Sequence, residues 1–580
     1  MKKFLGSALA CAALLFGLSA CGQRRALKVK DFELKSTKIY YNGFDDVGVF
    51  DLYFSKATGK IPYVDLVTTL NKMYKNEVYS VKNGGAEFTV ARAANGAEVR
   101  IDSKAKDIVF SDYDLFKKRP GAATLLDIVS RDDVIRHCEE ATYDNRGAPI
   151  VVHYGTFLID IAIDKDIALL PLQTFLDVFW SGSAGGAIVY NGDELFYIED
   201  ASCLFKGFCE PTEFGKKFYA AAPGQLDKEL ANFNLRELAL NFQLNYGLKE
   251  LRGIDKFSDW LAARGLDERL ASTDSNVSDL AVKEICYQYF GDIHSSFVAH
   301  SPFSKIDIEK EKEENKGIQP SPSYRRLNQS IEDAKKTRES FYPNGMPGIQ
   351  TIGDTVYVTF DEFSVNGRDY FKAPLTDQEW DAIFDDYPSS GIDTFGLIHA
   401  ANEVIQENSK IRNVVVDLSC NPGGAVDAEI FTACWLLGIA NLQIKSGTTG
   451  CQSDTSYVSD VNFDGQINRG DIVNDRRLFC IVSDITFSCG NLLASTLKES
   501  GRVTLIGSKT GGGGCSVYTT STAIGTVFKT SSYFRFSAEK NGMFKDIDDG
   551  VDPDYKLTEL SSFYNRSEKH GLTAFIRNLY

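Results

Sequence analysis

The chain has 580 residues, 43% of them hydrophobic, and a formal net charge of −16. Its length exceeds the roughly 250–300 residues at which one core stops growing, so two or three domains are expected. The acidic balance excludes nucleic acid as a partner, because no basic footprint is available to neutralise phosphates.

In chain order, Met1-Lys2-Lys3, the apolar run from Phe4 to Leu18 and Ser19-Ala20-Cys21 compose a charged n-region, an h-region and a small-residue cleavage point. Leu18-Ser19-Ala20-Cys21 also resembles the lipobox of bacterial lipoproteins, which implies that Cys21 becomes the lipid-bearing first residue of the mature protein. Residues 1–21 are thus expected to be a lipoprotein signal peptide, and the remainder to be exported and lipid-anchored to the bacterial cell envelope. Gln23 rather than Asp close behind Cys21 is compatible with outer-membrane sorting or a cell-surface location. No later window approaches the roughly 18 consecutive apolar residues of a membrane-spanning helix. Export permits disulfides; Cys203 and Cys209 could close a short loop, with buried free thiols as the alternative.

Residues 28–233 favour short alternating strands punctuated by Gly and Asn, as in "KIYYNG" and "AEFTV". Two pieces there, "KIPYVDLVTTLNKMY" and "LLPLQTFLDVFW", place Pro just before a predicted amphipathic helix. This part carries no catalytic constellation and reads as an α+β binding or spacer domain. Residues 235–300 are helical in pattern ("LRELALNFQLNYGLKELRG", "FSDWLAARGL", "SDLAVKEICYQYFGDIHSSF"), and 301–347 read as a polar, solvated linker. From 348 to 580 strands alternate with helices: "TVYVTF", "FGLIHAANEVIQEN", "NVVVDL", "AEIFTACWLLG", "LFCIV". That alternation predicts a mixed α/β layer.

Two turns in this last part carry the chemistry. "NVVVDL" runs into Asn421-Pro422-Gly423-Gly424 before a helix, and "LFCIV" runs through "SDITF" to Ser488, where another helix opens. Ser488 therefore sits beside free helical N–H groups, where an oxyanion can be stabilised; the common alternative is a serine that only caps the helix. Paired glycines let a reacting group approach main-chain amides closely.

Taken in order, these blocks resemble the C-terminal processing (tail-specific) serine peptidases, whose relatives include the tricorn protease core and interphotoreceptor retinoid-binding protein. Asp417, Leu418, Asn421, Pro422, Gly423 and Gly424 match the family strand and turn, with Ser419 where Arg is usual; Gly507-Ser508-Lys509-Thr510-Gly511 and Gly550-Val551-Asp552-Pro553-Asp554 match two later motifs. The resemblance runs from about Leu235 to the C-terminus. It implies an α+β multidomain chain with a crotonase-like ββα catalytic domain, acting on a peptide or protein substrate. The Ser–Lys branch carries its lysine about 25 positions after the serine, where this chain has Gly513; Lys509 is near but out of register. The tricorn-like branch instead uses a histidine from the helical segment before the sheet, and His294 in "YFGDIHSSF" matches its Asp-x-His pattern. The third member of the relay falls to Asp548, with Asp546 as runner-up, because no glutamate precedes Gly550-Val551; Ile293 stands where tricorn has a serine.

The resemblance thus implies Ser488 as nucleophile, His294 as general base, and an oxyanion hole from the N–H of Gly423 or Gly424 with that of Cys489. The alternative is a catalytically silent peptide- or ligand-binding lipoprotein on the same fold. The family's regulatory PDZ module has no room in the connection after His294. Separately, "DVNFDGQINRGD" places Asp460, Asn462, Asp464, Gln466, Asn468 and Asp471 at the ligand positions of an EF-hand loop, with Gly465 at its sharp turn. It resembles the dockerin form of that loop and predicts structural calcium at 460–471; no catalytic cofactor is expected. The oligomeric state stays open.

Overall fold

The protein is described from a computed structural model covering residues 27–579 apart from 42–45, 139–141, 182–184, 207–209, 221–224, 306–314, 316 and 539–543. The segment expected to be a signal peptide, Cys21 and Cys209 lie outside the described residues. Among the described residues no disulfide forms, and no helix is long and apolar enough to cross a membrane.

Alternating side chains decide the architecture of the C-terminal half. In Thr355–Thr359, Val356 and Val358 face one core and Tyr357 another; in Asn413–Asp417, Val414 and Val416 are divided from Val415 in the same way. Strands apolar on both faces need cover on both sides. They lie within a six-stranded sheet ordered Ile349–Ile352, Thr355–Thr359, Asn413–Asp417, Arg477–Val482, Val503–Gly507 and Tyr555–Lys556. All neighbours are parallel except the first pair. Helices Thr394–Glu407, Val426–Leu437 and Cys489–Glu499 cover one face, and Leu560–Tyr564 with Leu572–Arg577 cover the other.

A second sheet is assembled from distant parts of the sequence. Its path runs Ser296–Ala299, Val527–Ser537, Ala440–Ser446, Gln452–Ser459 and Ile135–His137, with Cys515–Ser521 on Val527–Ser537 and Tyr143–Asn145 on Gln452–Ser459. Ile135–His137 and Tyr143–Asn145, within the stretch read as the N-terminal domain, thus pair with a strand of the C-terminal part. The contact continues at Asp427, whose carboxylate accepts the N–H of Ser130 at 2.7 Å and of Arg131 at 3.0 Å.

The rest of the N-terminal region holds a seven-stranded and a five-stranded sheet around one apolar core. The two look-alike pieces meet there: Ile167–Pro171 pairs antiparallel with Tyr63–Asp65, putting Pro171 opposite Tyr63. Pro62 is separated from its helix, Leu66–Met73, by that strand. Helices Lys228–Asn245, Phe257–Ala262, Leu266–Leu270 and Ser275–Glu284 pack around a cluster that includes Cys515 and Phe528 from the second sheet. The segment read as a polar linker contains the 20-residue helix Pro322–Phe341, capped by the Ser321 side chain. Its mean polarity hid a helix that buries Ala334 and Arg338 on one stripe.

The far face of the six-stranded sheet is closed by a buried ion pair. Arg566 Nη2 lies 2.7 Å from Asp417 Oδ2 and donates to Thr359 Oγ1 at 2.8 Å, while the guanidinium stacks 4.4 Å from the Tyr357 ring. Removing one member strands the other charge in the core. Arg566→Met is expected to destabilise the protein by about 3–5 kcal/mol, read as a lower urea midpoint; a midpoint unchanged from wild type would refute this account of the pair.

Candidate active site

Ser488 stands where strand Arg477–Val482 turns into helix Cys489–Glu499. Its backbone adopts φ 53° and ψ −123°, and its side chain makes no capping hydrogen bond to the helix. A non-glycine residue in that region is strained by about 1–3 kcal/mol, and such an elbow lifts a serine hydroxyl clear of both elements. The capping reading therefore does not describe this serine. The elbow is held by its neighbours: Ser488 N–H donates to Gly512 O at 2.9 Å, and Phe487 N–H to Asn421 O at 3.2 Å.

The glycine turn packs directly against it. Gly423 has φ 115°, and a Cβ there would lie 2.6 Å from Ser488 Cβ; at Gly424, φ 137°, it would lie 2.3 Å from Phe363 O. Both positions require glycine for conformation and for space. Gly423 N–H is already donated to Asn421 Oδ1 at 2.9 Å. Cys489 is buried at the first turn of the helix, its thiol directed to Gly424 O at 3.1 Å, and its main-chain nitrogen would be 3.1 Å from a Cβ on Gly423.

His294 follows the helical segment, and Asp292 Oδ1 accepts its main-chain N–H at 3.1 Å. Its ring is buried, with Nδ1 3.2 Å from Ser531 Oγ and the Phe487 ring 4.6 Å from its centroid. Nε2 is buried without a hydrogen-bond partner, so no Ser488–His294 hydrogen bond is formed in this conformation. Burial pushes the imidazole below its ordinary 6.5, opposed by the negative charges of Asp292 and Asp548. The helix of the supposed linker fixes this loop: the Tyr324 hydroxyl donates to the carbonyls of Ile293, at 3.2 Å, and Ser295.

Of the two candidate carboxylates, Asp546 is paired with Arg535. Asp548 is the one whose charge is felt by His294; its Oδ1 accepts Gly514 N–H at 3.0 Å, and burial raises its pKa. It makes no hydrogen bond to the imidazole. Lys509 sits 3.9 Å from Asp549 at the rim, and Gly513 packs under the Phe487 ring. A cleft of about 620 Å³ opens beside these groups, lined by Arg252, Asp292, Arg326, Phe487, Lys509 and Asp548 among others.

The acidic loop lies between strands Gln452–Ser459 and Arg477–Val482. Asp460 accepts the N–H of Gly465 at 2.8 Å, Asp464 that of Gln466 at 2.7 Å, and Asp471 those of Val461 at 2.8 Å and Asn468 at 2.7 Å. Asn462 bridges to Asp464 at 3.1 Å, and Asn468 caps the short helix Arg469–Asp471. Burial, then the neighbouring carboxylates Asp471 and Asp464, raise the pKa of Asp460. Among the described residues no group of three or more His, Cys, Asp or Glu is arranged to hold a metal ion.

Sequence reasoning missed Ser531, Phe487 and Tyr324. Ser531 was reachable only through the pairing of strands, because nothing in its local sequence marks it; Phe487 precedes the serine, but only the fold turns its ring onto His294.

No curated protein matches the sequence. Solved structures similar to the chain include the photosystem II D1 C-terminal processing protease, at 21% identity over 37% of this chain and 46% of that one, with a TM-score of 0.25. This chain therefore spans less than half the length of that protease. A putative peptidase from Parabacteroides merdae is 14% identical over 58% of this chain and 93% of that one, with a TM-score of 0.36. Mature CPAF is 11% identical over 61% and 96%, with a TM-score of 0.36. The segment that contains the glycine turn, the Ser488 elbow and Asp548, residues 391–557, matches the model of peptidase family S41.

Proposed function

We propose that the chain is a cell-envelope lipoprotein that hydrolyses peptide bonds with Ser488 as nucleophile and His294 as general base. The observation that carries this reading is the uncapped, positive-φ elbow at Ser488 packed against the glycine turn. His294 Nε2 would take the Ser488 hydroxyl proton as Oγ attacks the substrate carbonyl carbon. The tetrahedral oxyanion would be held by the N–H groups of Gly424 and Cys489, since Gly423 N–H already serves Asn421. The departing amine would receive the proton from His294, and water would then release the acyl group, restoring the free serine. Asp548 would stabilise the imidazolium through space. Bringing Nε2 onto Ser488 needs the elbow to tighten, as catalytic hydrogen bonds commonly do when substrate binds.

Lipidation at Cys21 would tether this activity to the membrane, with a peptide or protein as substrate. Calcium is proposed for the 460–471 loop: Asp460, Asn462, Asp464, the Gln466 carbonyl, Asn468 and Asp471 would supply a hard oxygen donor set, and the neighbouring carboxylates Asp471 and Asp464 already raise the pKa of Asp460. A bound ion would brace the loop that leads into the Ser488 strand.

Three outcomes are expected. A fluorophosphonate should add one adduct to the wild-type chain by intact mass, none to Ser488→Ala, and should react about 10²–10⁴-fold more slowly with His294→Ala; a folded wild type that takes no label would favour the silent binding lipoprotein. Because the base acts in its neutral form and burial holds it below 6.5, the labelling rate should stay level as pH falls through 6.5 and decline only in more acidic buffer. A decline centred above 6.5 would exclude His294 as the titrating base. Calcium at a hundredfold excess over its Kd should stabilise the wild type by about 2.7 kcal/mol in thermal unfolding, and Asp460→Ala should abolish the shift; a wild type indifferent to calcium would remove the metal from the account.

A further inference from the structure

We infer that Ser531 is the positioning residue of His294, presented by strand Val527–Ser537 to hold the imidazole in the tautomer whose Nε2 lone pair faces the nucleophile. The inference rests on the reading of Ser488 and His294 given above.

Strand register produces the contact. Ser296–Ala299 pairs antiparallel with Val527–Ser537, Ser296 opposite Lys529 and Phe297 opposite Phe528. Continued back toward the helical segment, that register sets Ser295 opposite Thr530 and His294 opposite Ser531. The side chains follow it: the hydroxyls of Ser295 and Thr530 are hydrogen-bonded at 3.2 Å, and His294 Nδ1 lies 3.2 Å from Ser531 Oγ. Directly opposed residues on antiparallel strands have Cβ atoms close enough for such pairs. Ser531 and Thr530 are fully buried.

The competing groups are otherwise engaged. Asp292 spends Oδ1 on the His294 main-chain N–H and Oδ2 on the Ser295 hydroxyl at 2.9 Å. Asp548 accepts Gly514 N–H. The hydroxyl of Ser531 is thus the side-chain group within hydrogen-bond reach of the ring. With the proton on Nδ1, donated to Ser531 Oγ, Nε2 carries the lone pair that a base needs. The opposite tautomer would let the Ser531 hydroxyl donate to Nδ1, but it would place the proton on Nε2, where no acceptor stands and where the base needs its lone pair. A hydroxyl here fixes the ring's direction without adding a charge, a task that triads usually give to a carboxylate.

The test uses the full chain with ¹⁵N-labelled histidine, the His294 signal being assigned with His294→Gln. At neutral pH the wild type is expected to show a protonated Nδ1 and an unprotonated Nε2. Ser531→Ala should mix the tautomers and slow fluorophosphonate labelling by about tenfold to a hundredfold, less than loss of the base itself, and Ser531→Thr should restore both. A wild-type His294 protonated at Nε2 overturns the inference, as does a Ser531→Ala protein with unchanged tautomer and rate. If Ser531→Ala does not fold, the wild-type and Ser531→Thr tautomers decide: retention of the Nδ1 proton in both supports the contact. The tautomer is read without chemistry at Ser488, so an unreactive serine beside a correctly protonated His294 sinks the peptidase reading alone.

Discussion

The site depends on the lateral pairing of two parallel strands. Asn413–Asp417 and Arg477–Val482 run side by side in register, Asp417 opposite Ile481, so both chains leave the sheet at one level and in one direction. The turns that follow are stitched together: Leu418 N–H donates to Ile481 O at 2.9 Å, the Ser483 hydroxyl to Ser419 O at 2.6 Å, and the Thr486 hydroxyl to Leu418 O at 2.7 Å. This stitching sets the glycine turn against the serine elbow and sustains the strained positive φ of Ser488. The open edge beyond parallel strands is where such sheets accept ligands, and the cleft lies there.

Much of this was legible from residue types and spacing. Apolar runs of four to six residues ended by Gly or Asx marked the central strands, and the helix that opens at Ser488 showed its 3.6-residue period. The order of strand, glycine turn, helix, strand, serine and helix can be read without the fold, because each step is local. The two carboxylates near Gly550 could not be separated in the sequence; they differ only in their surroundings, one taken by Arg535 and the other bonded to Gly514 N–H with its charge acting on the imidazole.

What sequence reasoning could not reach is contact between distant segments. The helix Pro322–Phe341 looked like a solvated connection because its charged face dominates, yet Tyr324 holds the carbonyls on either side of His294. Arg566 supplies a guanidinium beside Asp417 from the far end of the chain, near the strand end where Ser419 takes the place of the arginine usual in the family pattern. The partner of His294 likewise follows from strand register, which a one-residue slip would change completely.

The strands Ile135–His137 and Tyr143–Asn145 have a consequence for how the molecule comes into being. Their partner strand, Gln452–Ser459, is synthesised more than three hundred residues later, so a central sheet stays unfinished until most of the chain exists. Pairings of such long sequence separation carry a large loop-closure entropy and slow the folding reaction. A chain built this way cannot complete that sheet until its C-terminal half has been made. It also cannot be cut into an autonomous C-terminal piece, because removing residues before 235 would bare the Gln452–Ser459 backbone as an edge open to the strands of other molecules.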